Sequence, residues 1–164
     1  MPFYLSAFTL AHVVISLAGI VSGFVVVYGL VARKRLDFWT AFFLLTSVAT
    51  SVTGFLLPSE RFLPSHAVGI VSLLVLAVAV LARYGRHLIG SWSRIYAVSA
   101  VVALYLNVFV LVVQAFLKVP ALKALAPTES EPPFQTTQLL VLGLFVVLAV
   151  ITVIKFRGGP VRAA

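Results

Sequence analysis

The run FTLAHVVISLAGIVSGFVVVYGLVA (Phe8–Ala32), closed by RKR (Arg33–Arg35), decides the fold. It holds no charged residue, and a helix needs about 20 residues at about 1.5 Å rise each to cross about 30 Å of hydrocarbon. The three bases that end it are what a chain places where it re-enters water. Working outward, four more apolar runs follow, separated by charged or proline-containing breaks. The five spans read as about 8–32, 37–57, 66–83, 94–117 and 135–155. The fold class expected is all-α: one domain, an integral membrane bundle of five transmembrane helices over residues 1–164.

Composition agrees. Of 164 residues, 62% are hydrophobic and 10% charged, far from the averages for water-soluble domains. A soluble fold of this size has too little interior to hide so much apolar side chain. Cysteine is absent, which excludes disulfides, thiolate metal sites, Fe–S clusters and thiol catalysis. Met1-Pro2-Phe3-Tyr4 lacks a basic n-region, and the run after it is too long for a signal-peptide core, so no cleavable signal is expected.

The formal net charge of +8 is a matter of topology rather than of nucleic acid. Arg33, Lys34, Arg35, Arg83, Arg86, Arg94, Lys155, Arg157 and Arg162 fall on one side of the bundle with a single acid, Asp37. Arg61, Lys118 and Lys123 fall on the other side, balanced by Glu60, Glu129 and Glu131. The positive-inside rule makes the first side cytoplasmic, with the N-terminus outside and the C-terminus in the cytoplasm, and lets the basic face meet anionic lipid headgroups. Trp39 and Trp92 near the basic helix starts fit an interfacial aromatic belt. Demoting the short third segment to an interfacial helix would move Arg83, Arg86 and Arg94 across the membrane and destroy the asymmetry.

All eight prolines fall outside the span interiors, so the broken helices of many transporter sites are not signalled. Pro64 and Ser65 mark the start of the third helix, with Ser65 as its cap. The last loop, about 118–134, opens with Pro120 and reads as a short interfacial helix before Glu129 and Glu131 lead into the fifth span.

No Asp, Glu, Lys or Arg lies inside a span: Asp37, Arg83, Arg94 and Lys155 stand only at span ends, and buried intramembrane charge of the kind that builds proton relays and ion pathways is not expected. Neutral polar residues gather instead in the half away from the bases. His12 and Ser16 lie one turn apart, followed by Gly19 and Gly23. Thr46, Thr50 and Thr53 form one stripe on the second helix, and Ser47, Ser51 and Gly54 the next. His66, Gly69 and Ser72 share a face of the third helix; Ala100, Ala103, Asn107 and Gln114 share one of the fourth. Small and hydroxylated residues at these spacings are the ordinary means of close helix packing, and that reading is taken for the glycines and Thr/Ser stripes. Asn107 is costly to bury and needs a partner, either a neighbouring helix or a ligand. His12 and His66 both start helices at the same end, so together they are candidate haem ligands; water, headgroups or Glu60 would serve them equally. His87 reads as a solvated loop residue. No nucleotide loop, zinc motif, nucleophile elbow or hydrolase triad can be assembled.

Three stretches carry a resemblance: TSVTGFLLP (Thr50–Pro58), LNVFVLVVQAF (Leu106–Phe116) and ALAPTESEPPF (Ala124–Phe134). Together they resemble a family of small uncharacterised bacterial multi-pass integral membrane proteins. The resemblance implies a bacterial inner (cytoplasmic) membrane and transfers no activity.

The expectation is a non-enzymatic membrane protein that binds a small or lipid-like ligand, or a partner membrane protein, in its outer half. The site would draw on His12, Ser16, Thr50, His66, Asn107, Gln114, Glu129 and Glu131. The alternatives are electron transfer with b-type haem or quinone near the outer face, and an oligomeric transporter or channel for a neutral solute. A bundle this small is also expected to join a homo-oligomer or a larger membrane complex.

Overall fold

A computed structural model describes residues 3–57 and 64–156. Helices are the regular elements of the described residues: α1 (Phe3–Val31), α2 (Asp37–Leu56), α3 (Pro64–Val80), α4 (Trp92–Lys118), α5 (Pro120–Leu125) and α6 (Pro132–Lys155). α3 runs without interruption into one π-helical turn, Leu81–Gly85. Five of these helices are long and apolar enough to cross a membrane. Glu60, Arg61, Arg157 and Arg162, which enter the expected charge balance, lie outside the described residues.

Proline sets several starts. α5 and α6 carry it in the first turn, where its fixed φ suits a helix and its missing N–H goes unused. α3 starts at Pro64, so Ser65 lies inside the first turn rather than capping it. The third span, expected to be short, gains length at its other end because the helical path continues through the π turn.

α1 packs on α2 and α4, and α3 packs on α2 and α4, so α1 and α3 stand diagonally in a four-helix ring. α6 lies outside that ring, against α4 and α1. The tightest core is in the half nearer the basic loops. Phe43, Tyr96, Ala97, Ala100 and Leu104 are fully buried there with Val26, Leu76 and Ala79. Gly23 permits this closeness: a β-carbon there would come within 2.6 Å of Leu104 and 2.8 Å of the Phe43 ring. Gly19 lies against Thr46 and Ser47. The outward faces stay apolar, with Leu45 69% and Leu140 70% exposed, the inverse of a water-soluble surface.

Arg83, expected at the end of the third span on the basic side, is drawn inside the bundle. It sits in the π turn and is buried. Its guanidinium donates to the Asp37 carboxylate at the start of α2 and lies 5.3 Å from the Tyr96 ring centre. Tyr96 in turn approaches Thr40, 3.4 Å from its hydroxyl. π turns widen a helix locally, and here the widened turn carries Ala82 and Arg83 into the bundle.

Candidate functional site

The half away from the basic loops is open. A cavity of about 420 Å³ lies among α1, α2, α3 and α4, reaching the start of α5. Such a volume lies within the range of small-molecule sites. Six of the sequence-derived residues line it: His12, Ser16, Thr50, His66, Asn107 and Gln114. They come from all four helices of the ring. Glu129 and Glu131 do not line it.

Neighbouring contacts order the wall in depth. Asn107 reaches Ser47, donating from Nδ2 to Oγ at 2.9 Å, and Ser47 also faces Gly19. That layer is the floor, and Asn107 thereby has the interhelical partner its burial demands. His12 and Gly54 meet nearer the mouth, where a β-carbon on Gly54 would lie 3.6 Å from the His12 ring. Lys118, on the same helix as Asn107, stands eleven residues farther on, about 16 Å at about 1.5 Å per residue. Among the described residues it is the only lining residue with a permanent charge, and none of those lining the cavity is an acid.

The hydroxyls divide into two kinds. Ser16, Thr46, Ser51 and Thr53 each donate to the carbonyl one turn back on their own helix. This is the self-bonding expected of packing stripes, and it spends their protons. Thr50 differs: its hydroxyl oxygen is shut off from solvent and has no hydrogen-bond partner.

The same accounting assigns the His12 tautomer. Nδ1 lies 2.7 Å from Thr53 Oγ1, and the Thr53 proton already goes to Ala49 O at 2.7 Å. Nδ1 therefore donates, and Nε2 keeps its lone pair. His66 stacks on Phe55, ring centres 5.5 Å apart and 15° from parallel. Because α1 and α3 are diagonal, the two imidazoles approach the cavity from opposite helices. The Gln114 side chain makes no hydrogen bond to any described residue. Among the described residues no three His, Asp or Glu side chains gather as a metal site.

The acidic loop is self-contained. The Glu131 carboxylate accepts from the Thr128 hydroxyl at 2.8 Å and from the Thr128 and Ser130 amides. Those bonds, the Thr128 hydroxyl first, hold its carboxyl below the usual glutamate range. Glu129 takes a positive φ of 60° in that turn. His87, also at positive φ, lies at the opposite end, between the π turn and α4.

Compared with known proteins, the chain matches no family model, no curated protein and no solved structure. The reading of the site rests on its geometry.

Sequence reasoning missed Lys118 as a lining residue and the burial of Arg83. The first lay hidden because a lysine at a helix end normally belongs to the interface. The second had one signal, Asp37, the single acid on a side with nine bases.

Proposed function

We propose that the chain is a non-enzymatic multi-pass protein of the bacterial cytoplasmic membrane that holds a small or lipid-like ligand in the cavity of α1–α4. On this reading the basic loops face the cytoplasm and the cavity opens in the outer half. The observation that carries it is the contrast between the two halves. One half is packed until glycine is required at Gly23, and the other leaves about 420 Å³ beside polar groups without protein partners. A bundle held together only by packing would close that space, since voids forfeit dispersion contacts. Native mass spectrometry of protein released from lipid tests the reading. A ligand of defined mass retained at one per chain supports it; a bare chain under every release condition overturns it. The same spectrum reports whether copies of the chain or a larger membrane complex travel together.

A second reading, electron transfer, is favoured by one observation: His12 and His66 reach the cavity from diagonal helices. With Nδ1 donating to Thr53, His12 has Nε2 available, as an imidazole ligand to metal ordinarily does. His12 and His66 would then hold a b-type haem, which supplies one-electron chemistry when bound. The visible spectrum of the purified protein decides. A Soret band lost on changing either histidine supports haem; a preparation colourless after haem supplementation removes it.

A further inference from the structure

We propose that the ligand is an uncharged amphiphile whose head carries a carbonyl acceptor, and that the head lies inward, at Thr50 and Asn107. This rests on the ligand-binding reading above and adds the ligand's class and its direction.

Charge excludes other heads. A carboxylate, phosphate or ammonium at the floor would be buried without a counter-ion, because among the described residues no acid lines the cavity and Lys118 stands about 16 Å away along α4. An unpaired buried ion costs far more than a hydrogen bond returns. A neutral head meets no such penalty.

The floor is suited to an acceptor. Thr50 lines the cavity, and its hydroxyl proton, alone among the α2 hydroxyls at 46, 50, 51 and 53, is not given to its own helix. Threonine in a helix divides between two χ1 wells, so the hydroxyl can turn to a ligand. Ser47, three residues back on the same face, holds one Asn107 N–H, leaving the other N–H and the amide oxygen without a described partner. Thr50 and Asn107 thus offer two donors at the inner end of the cavity. The surfaces between floor and mouth include Val13, Leu17, Val110 and Leu111, which suit a hydrocarbon tail. A head at the mouth would leave those donors facing alkane, the costlier arrangement.

The chemistry has two sources: the ring carbonyl of a quinone, or the ester carbonyl of a neutral glyceride. The test titrates the purified protein with decylubiquinone, dioctanoylglycerol and decanoate, and counts adducts by native mass spectrometry. The expected result is one adduct per chain with either neutral probe, the one that binds naming the source. Thr50→Val should weaken that adduct about two- to tenfold, the size of one neutral hydrogen bond. The same variant should melt no lower than the parent, because Thr50 makes no protein hydrogen bond to lose. Unchanged affinity in Thr50→Val overturns the proposal. So does preferential binding of decanoate that is lost in Lys118→Gln, which would put an anionic head at the mouth. If none of the three probes binds, the proposal of a neutral carbonyl head is overturned; the ligand-binding reading itself fails separately, when the chain released from lipid also carries no ligand of its own.

Discussion

Replacing Asp37 by Asn should destabilise the bundle more than replacing its partner Arg83 by Met. Arg83 is the buried member of the pair, its side chain 5% exposed, and Asp37 is 71% exposed. Asp37→Asn leaves a buried guanidinium beside Tyr84 and Tyr96 with a neutral amide in place of its counter-charge. Breaking a fully buried pair costs about 3–5 kcal/mol, whereas an exposed pair is worth about 1 kcal/mol or less. With one partner in water the cost falls between, about 2 kcal/mol, or about 4–8 °C in Tm for a chain of this size. Arg83→Met removes the charge together with its need for a partner and keeps an apolar stem of similar length. The double variant should therefore melt close to Arg83→Met alone. Trp39 and Trp92 are the only tryptophans and both lie at this end, so intrinsic fluorescence during heating reads the relevant region. Arg35, 3.7 Å from the same carboxylate and largely exposed, is the control, and Arg35→Gln should shift Tm little. If Asp37→Asn melts within about 1 °C of the parent, or the double variant loses the sum of both singles, a buried charge held by its partner is the wrong description.

Three further outcomes are expected. Gly23→Leu should cost at least about 1–3 kcal/mol by overpacking against Phe43 and Leu104, while Gly143→Leu, with open space around it, should be near neutral in the same melting assay. Asn107→Leu should lower stability by about 1–2 kcal/mol, because it leaves the Ser47 hydroxyl buried without its partner, and should weaken ligand retention as well. The turn before α6 should depend on pH with a defined sign. Glu131 has a depressed pKa in the folded turn, so its bonds are present above the ordinary glutamate value and lost as pH falls through the lower folded value; amide protection at Thr128 and Ser130 should track that loss.

What could be read in the sequence follows from the range of each signal. Five apolar helices were legible because each is a local run whose length alone matters. The α5 turn was legible because Pro120 announces it. The gathering of His12, Ser16, Thr50, His66, Asn107 and Gln114 was legible as a shared half of the bundle, since helix starts and the 3.6-residue period fix approximate height and face. Which neighbour each group would meet was not. Thr50 and Thr53 read alike in the stripe, and only packing shows one bonding its own helix and the other unpartnered. Glu129 and Glu131 shared the right end of the bundle, but the turn at Thr128–Glu131 closes on itself rather than over the cavity. Arg83 looked like a base at a span end because the run of apolar residues stops there, and a π turn carries no clear sequence mark.

The measurement that bears most directly on the central claim is ligand retention in a variant that closes the cavity without disturbing the packed half. Gly54→Leu serves: a β-carbon there meets the His12 ring at an ordinary 3.6 Å, and the longer side chain then occupies the space beside it. The expected result is parental melting by Trp39 and Trp92 fluorescence together with loss of the retained ligand mass. A variant that melts normally and still carries the ligand one per chain would contradict the placement of the site in this cavity.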